Sequence, residues 1–368
     1  MGNKICDMGL LSLLRFLASM IVVLFHCRTR SPFLGEAPRI FSAGPQMVTF
    51  FFVLSGFSLM LAYYGKKEFS HKEYWTNRAV KIVPVYLVGI VMALIVNPFV
   101  DKPFSFIGLL LHLTFTHALV PPHPLSINGP AWFMSVVVVF YAIFPLILSA
   151  IKKWAPRPAL LFASVLFLWF ATQVVLSHLL DSGFYKGFPS VSHDLIYYFP
   201  LVHLGSFLMG VSAAYGVIVS ERWRLSGSVA AWMFVLSLVT VALVIENQAG
   251  LTALFHHGVP FGSSFYAPFF LLVILSCSML QGRFKQFLSI PIFGILGEIS
   301  FAVYMIQIPV RCITSFVVDG YPLSYDVRML IFLVVLISLG SLLTFKVERP
   351  IRDYVKKNRA ASLSKQPG

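Results

Sequence analysis

Apolar runs of nearly 20 residues recur along almost the whole chain, separated by short polar connections. A helix of about 20 apolar residues is long enough to cross the hydrocarbon core of a bilayer. The pattern therefore predicts an all-α fold, a polytopic membrane helix bundle with about ten transmembrane spans. We place these spans at 10–28, 43–64, 79–97, 130–150, 159–180, 197–219, 227–246, 264–281, 291–317 and 326–346.

One further apolar run, 104–119, lies near the lower length limit for crossing a bilayer. The positive-inside rule decides how it is placed, because the basic connections fall on one side of the membrane only if this run does not cross. We predict that 104–119 is re-entrant or interfacial, with both termini cytoplasmic. The loop with Arg28, Arg30 and Arg39 is then outside, as a mild exception. The basic residues of the predicted inner side are Lys66, Lys67, Lys72, Arg78, Lys152, Lys153, Arg157, Arg222, Arg224, Arg283, Lys285, Arg349, Arg352, Lys356, Lys357, Arg359 and Lys365.

Composition agrees with a membrane protein: hydrophobic residues make up 58% of the chain and charged residues only 11%, against about 25% charged in soluble domains. The net charge of +14 needs no nucleic acid, because most of the excess lies in the predicted cytoplasmic connections, where it meets anionic lipid. The four cysteines show no metal-ligand spacing, so no metal site is predicted. We divide the chain into a membrane domain, 1–354, and a basic, mobile cytoplasmic tail, 355–368.

Arg15 and His26 are the most informative residues, because an ionisable side chain inside a spanning segment is costly and indicates function by default. Their separation of eleven residues is about three helical turns, so both lie on nearly one face, roughly 16 Å apart along the axis. The alternative is a pair of buried polar residues satisfied by neighbouring helices.

Three other groups have a functional and a structural interpretation. Arg78 and Lys81 share a helix face at the predicted start of the third span, which suits a phosphate-bearing ligand or, alternatively, a basic anchor at the lipid surface. Ser55 and Gly56 allow close helix approach, so packing is their simpler role. Gly129 to Trp132 begin the next full span, which also contains Tyr141 and Pro145, as expected of an interfacial aromatic residue and a kinked helix.

Taken in order, these residues resemble the acyltransferase 3 family of integral membrane O-acyltransferases, over about residues 10–354. The motifs that carry the resemblance are Arg15 with His26, Phe51–Phe57, Arg78 with Lys81–Tyr86, Trp132 with Phe140, Tyr141 and Pro145, Ser300–Tyr304 with Pro309, and Val347–Pro350.

The chain also departs from the family pattern. Val137 stands where members often carry a glutamate, Asn77 and Lys81 where arginines are common, and Gln307 where a histidine is common. A role assigned to that glutamate cannot be transferred, so His26 must work without it. The extra hydrolase-like domain of some members is not part of this sequence.

The resemblance implies transfer of an acyl group, most often acetyl, from cytoplasmic acyl-CoA to a hydroxyl of a glycan or lipid-linked saccharide in a bacterial inner membrane. Acyl-CoA is then a donor substrate, and no permanently bound cofactor is expected. His26 is the candidate base or the group that relays the acyl transfer, and Arg15 is expected to fix the donor, neutralise its charge or stabilise an oxyanion. Two alternatives remain: a transporter or flippase without covalent chemistry, and an inactive homologue. The candidate site residues are His26 and Arg15 for catalysis, Arg78 and Lys81 for donor binding, and Ser55, Trp132, Tyr141, Ser300, Tyr304 and Glu348 as further candidates.

Overall fold

The structure, a computed structural model, describes residues 8–28, 31–220, 225–281 and 290–363. Throughout those residues the regular structure is helical and no strand is present, which confirms the all-α prediction. The helices are α1 (Met8–Cys27), α2 (Pro32–Glu36), α3 (Gly44–Tyr63), α4 (His71–Val96), α5 (Phe106–Leu113), α6 (Trp132–Trp154), α7 (Pro158–Asp181), α8 (Val191–Tyr197), α9 (Pro200–Val219), α10 (Gly227–Glu246), α11 (Gln248–Phe255), α12 (Ala267–Ser278), α13 (Pro291–Val318), α14 (Tyr325–Leu343) and α15 (Arg349–Leu363).

Nine helical stretches of the described chain are long and apolar enough to cross a membrane, which confirms a multi-pass bundle. The predicted span 264–281 differs, because only Ala267–Ser278 is helical there. Twelve residues are about 18 Å of helix, well below the roughly 30 Å of a hydrocarbon core. The preceding residues form turns, and Ser263 and Ser264 are tied through their carbonyls to Gln173 and Trp169 of α7. The tenth crossing stays a prediction.

The predicted start of the third span at residue 79 was wrong. Helix α4 begins at His71, eight residues earlier, because the Ser70 hydroxyl accepts a hydrogen bond from the Glu73 amide and caps the helix. A serine followed three residues later by glutamate is the capping-box pattern that marks this start in the sequence. Arg78 and Lys81 therefore lie well inside the helix, where the backbone amides are already bonded. Arg78 and Lys81 can therefore attract an anion through their own charges but not through free backbone amides of a helix start.

The short apolar run 104–119 forms α5 and a single 3-10 turn, His117–Leu119. Eight residues of α5 are about 12 Å long, so this run contains no helix able to cross a bilayer. His112 and His117 are fully buried and stack face to face, with ring centroids 3.8 Å apart. Tyr86 of α4 donates to the His112 carbonyl at 2.9 Å, which holds the segment against the bundle. Whether it re-enters the membrane or lies on its surface stays a prediction.

Helices α3 and α9 pack with their backbones in direct contact. A Cβ at Gly56 would collide with the carbonyl oxygen of Phe207, and one at Gly210 would collide with that of Val53. Small residues at such positions let membrane helices approach closely. The packing role predicted for Gly56 is therefore confirmed.

Helix α13 packs against α1, α4 and α14. Pro309 has no amide hydrogen, so the carbonyl of Met305 lacks its usual helical donor. The buried Asn128 amide donates to that carbonyl at 2.9 Å. This contact stabilises α13 next to the candidate site residue Tyr304.

Helix α15 continues from α14 through a π-helical turn, Thr344–Glu348. The predicted boundary between domain and tail at residue 354 falls inside α15, and the mobility of the tail stays a prediction. Several predicted features lie outside the described residues: the basic residues Arg30, Arg222, Arg224, Arg283, Lys285 and Lys365.

Candidate active site

A cavity of about 210 Å³ lies near the end of the bundle that carries the first turns of α1, α4 and α13, here called the inner end. Its walls come from α1, α3, α4, α6, α13, α15 and the π-helical turn. The structure thus brings together side chains that are up to 333 residues apart in sequence, from Arg15 to Glu348. The predicted site residues that line this inner cavity are Arg15, Ser55, Arg78, Lys81, Tyr141, Ser300, Tyr304 and Glu348.

The inner cavity has an excess of positive charge. Four cationic side chains line it, those of Arg15, Arg78, Lys81 and Arg352, against the two carboxylates of Glu298 and Glu348. A concave, partly buried site with charge of one sign concentrates ligands of the opposite sign. The inner cavity is therefore suited to an anionic ligand.

Glu348 and Arg352 are held in the cavity wall by the π-helical turn. Pro350 cannot donate a backbone hydrogen bond, and its ring would crowd the carbonyl four residues earlier. A wider turn relieves that crowding, and π turns of this kind are frequent at functional sites. Glu348 is only 3% exposed, and its carboxylate lies 3.2 Å from the Arg352 guanidinium, which is also 3.9 Å from Glu298. Two carboxylates thus position Arg352.

Some buried polar atoms of the cavity wall have no partner among the described residues. The hydroxyl of Ser55 and the Nε of Arg78 both lack one. The Arg78 guanidinium lies 5.6 Å from the ring centroid of Tyr141 and 5.9 Å from that of Tyr63. Because buried polar groups are normally satisfied, a ligand with hydrogen-bonding groups would complete this wall.

His26 does not line the inner cavity. It lies seven residues beyond Ser19, the last residue of α1 in the cavity wall, which is about 10 Å further along the helix. Its Nδ1 lies 2.9 Å from the carbonyl of Val22 and 3.0 Å from Oε1 of Gln307. The amide nitrogen of Gln307 in turn donates to the carbonyl of Tyr304 at 2.8 Å.

A second cavity, of about 490 Å³, lies at the end of the bundle that carries the last turns of α13 and is here called the outer cavity. His26 does not line it. Arg311 of α13 lines it and also donates to the carbonyl oxygen of His26. The remaining wall combines apolar and polar side chains, from Phe99 to Tyr325. His26 therefore lines neither cavity. Gln307 links its ring to Tyr304 of the inner wall, and Arg311 of the outer wall bonds to its backbone carbonyl.

The family model for an acyltransferase domain matches residues 10–345, which is most of the chain. The chain belongs to the acyltransferase 3 family. It is therefore a membrane-embedded acyltransferase that uses an acyl donor, and the resemblance read from the ordered motifs is confirmed.

A curated relative supports the same activity. The chain is similar to "Acyltransferase MdmB" from Streptomyces mycarofaciens, with 23% identity over 392 residues that cover 100% of this chain and 97% of the relative. No solved structure matches.

The positions of Trp132 and Val137 relative to the inner cavity were not predicted from the motifs. Trp132 does not line the inner cavity and is 9% exposed, so its ring is packed inside the bundle. It packs against Tyr198 and His203, with ring centroids 5.0 and 5.5 Å away. Val137, where the resemblance implied a glutamate, does line the inner cavity. Its side chain is apolar, so this position adds no negative charge to the cavity wall.

Sequence reasoning assigned no site role to Arg352, Glu298, Gln307 or Arg311. Arg352 was counted among the basic tail residues, and the π-helical turn that directs it inward has no clear sequence signal except Pro350. Gln307 and Arg311 continue the α13 face of Ser300 and Tyr304 at spacings of three and four residues, which is the signal that would have found them. Within the described ranges, no three metal-binding side chains come together.

Proposed function

We propose that this acyltransferase moves an acyl group, most often acetyl, from cytoplasmic acyl-CoA to a hydroxyl of an envelope or exported glycan or a lipid-linked saccharide. The observation that carries the proposal is that His26 is bonded through Gln307 to the wall of the basic inner cavity, while its backbone carbonyl is bonded to Arg311 in the wall of the separate outer cavity. A donor with several phosphates fits the charge of the inner cavity. An acceptor that approaches from the other face fits the outer one.

In the proposed reaction the neutral imidazole of His26 takes the proton of the acceptor hydroxyl as its oxygen attacks the thioester carbonyl. A new C–O bond forms and the C–S bond breaks, and the proton passes from the imidazolium to the departing CoA thiolate. An imidazole is suited to this exchange because its ordinary pKa lies near neutral pH.

Arg78 and Lys81 would bind the phosphates of the donor, with Arg352 held beside them. The position of Arg15 favours two of its three predicted roles. It lies roughly 16 Å from His26 along the α1 axis, and helical side chains tilt toward the N-terminus, away from His26. One thioester carbonyl cannot contact both groups. We therefore assign Arg15 to fixing the donor and neutralising its charge, and not to the oxyanion.

The proposed orientation places both termini in the cytoplasm of a bacterial cell whose inner membrane holds the protein. Basic residues then face the cytoplasm in the connections after α3 and α6. The flexible pantetheine arm would extend from the inner cavity past Tyr304 toward His26. This arrangement lets a cytoplasmic donor serve an acceptor on the opposite side.

Proteoliposomes with [¹⁴C]acetyl-CoA inside and an envelope glycan fraction of the source cells outside test the proposal. We expect label to enter the glycan fraction as an alkali-labile ester, with release of free CoA thiol inside. Movement of unmodified glycan across the membrane without label transfer would instead support a flippase. Protein-free liposomes and the glycan fraction alone are the controls.

A further inference from the structure

The contacts around His26 determine which of its two ring nitrogens carries the proton. The carbonyl of Val22 can only accept a hydrogen bond, so the 2.9 Å contact requires that Nδ1 of His26 carries the proton. Nε2 is then the unprotonated nitrogen. Among the residues that the structure describes, none forms a hydrogen bond with this Nε2.

The orientation of the Gln307 amide follows from similar reasoning. Its nitrogen lies 2.8 Å from the carbonyl of Tyr304, which can only accept, so the NH₂ group must face Tyr304. The amide oxygen must therefore face His26, where it lies 3.0 Å from Nδ1. Gln307 is 1% exposed, and this side chain cannot exchange its partners for water.

We propose that Gln307 is a positioning residue of the transfer reaction, which orients the His26 ring so that its free Nε2 meets the acceptor hydroxyl. The inference rests on the proposed function. The amide oxygen accepts from Nδ1–H together with Val22, and Tyr304 prevents the amide from turning around. The same oxygen stabilises the imidazolium that forms when Nε2 takes the proton.

This arrangement replaces an orienting carboxylate. In many acid–base sites a carboxylate holds the imidazole and stabilises its charged form. Here no carboxylate of the described residues bonds to His26, and the nearby cation Arg311 bonds to its backbone carbonyl. A neutral amide maintains the ring orientation without adding a buried negative charge, so the base stays neutral until the hydroxyl approaches.

Two substitutions separate orientation from charge. Gln307→Leu keeps the volume and removes the acceptor, so we expect kcat to fall about 10- to 100-fold, as for other orienting partners of histidine, with KM for acetyl-CoA unchanged. Gln307→Glu keeps an acceptor and adds a negative charge beside the ring. It should move the acid limb of the pH–rate profile up by about 1 pH unit or more, since an opposite charge favours the protonated imidazole.

Gln173→Leu is the matched control. Gln173 is also buried and donates to a backbone carbonyl, that of Ser263 at 3.2 Å, but it lies in α7 away from both cavities. It should leave kcat and the pH–rate profile unchanged. Thermal unfolding in detergent would show whether any of the three variants is destabilised.

A double-mutant cycle with His26→Ala distinguishes positioning from general structure. If Gln307 acts through His26, Gln307→Leu should reduce the residual rate of His26→Ala less than twofold. An equal loss in both backgrounds, or an unshifted pH–rate profile for Gln307→Glu, would overturn the positioning role. A wild-type rate for His26→Ala would overturn the proposed base and this role with it. An inactive His26→Ala beside a fully active Gln307→Leu would overturn the positioning role alone.

Discussion

The basic inner cavity predicts that Arg78 binds the phosphates of the donor, and its replacement by alanine is the sharpest test of that site. The Nε of Arg78 is buried without a partner among the described residues, and the side chain lines the cavity next to Lys81. One charge-assisted hydrogen bond contributes about 1.5–3 kcal/mol. Arg78→Ala should therefore raise the Kd for acetyl-CoA about 10- to 150-fold.

Isothermal titration of the purified protein with acetyl-CoA measures this loss directly. Arg157→Ala is a matched control, because Arg157 is another basic residue of the predicted cytoplasmic side that is exposed and outside the cavity wall. It should change the Kd less than twofold. Lys81→Met should also weaken acetyl-CoA binding, because it removes another cation that lines the cavity.

A short donor provides a second control for the same prediction. S-acetyl-N-acetylcysteamine has the thioester end of acetyl-CoA but no phosphate. Acetyl transfer from it should be equally fast in wild type and Arg78→Ala. Equal acetyl-CoA affinity of the two proteins would refute the phosphate site and favour a lipid anchor, and an equal loss with both donors would refute a phosphate-specific role.

Three further predictions concern packing, pH and topology. Gly210→Leu should destabilise the protein by about 1–3 kcal/mol or more through overpacking against the facing backbone, whereas Gly294→Ala, with open space around it, should be neutral in thermal unfolding. Burial lowers the pKa of His112 to about 3 and that of His117 to about 4, so the opened segment binds protons at higher pH than the closed one. Its stability should fall as pH drops below about 6.5, by about 1 kcal/mol per histidine at pH 5.5. Hydrogen exchange of 104–119, corrected for intrinsic rates, should rise accordingly, and about half of the effect should vanish in His117→Phe. Reporter fusions after Lys67 and Lys153 should both report cytoplasm, and opposite reports would show that this segment crosses the membrane.

Hydropathy predicted the bundle because nearly every span is a long apolar run, and that signal needs no tertiary information. It misplaced the start of α4, since residues 71–78 are polar and only the capping residues Ser70 and Glu73 mark the helix there. It also overestimated the length of α12, because an apolar run does not show that its first residues form turns, which Trp169 and Gln173 of α7 hold by donating to the carbonyls of Ser264 and Ser263.

The sequence predicted which residue types form the candidate site better than it predicted which cavity each residue lines. Eight of the ten candidate residues line the inner cavity, and His26 and Trp132 do not. How far the inner cavity reaches along α1 was harder to predict. Arg15 and His26 share a helix face, but the cavity ends between them. The role of Gln307 depends on a contact between α1 and α13, 281 residues apart, and local sequence carries no record of such a pairing.

If His26 is the base that activates the acceptor hydroxyl, His26→Ala should lose acetyl transfer, and the rate of transfer by this variant is the direct measurement. Transfer of label from [¹⁴C]acetyl-CoA to the envelope glycan fraction should fall about 10²- to 10⁴-fold, with acetyl-CoA affinity unchanged because the inner cavity is intact. Insertion and thermal unfolding like those of the wild type would show that the loss is chemical. Transfer at the wild-type rate by His26→Ala would show that His26 is not the base.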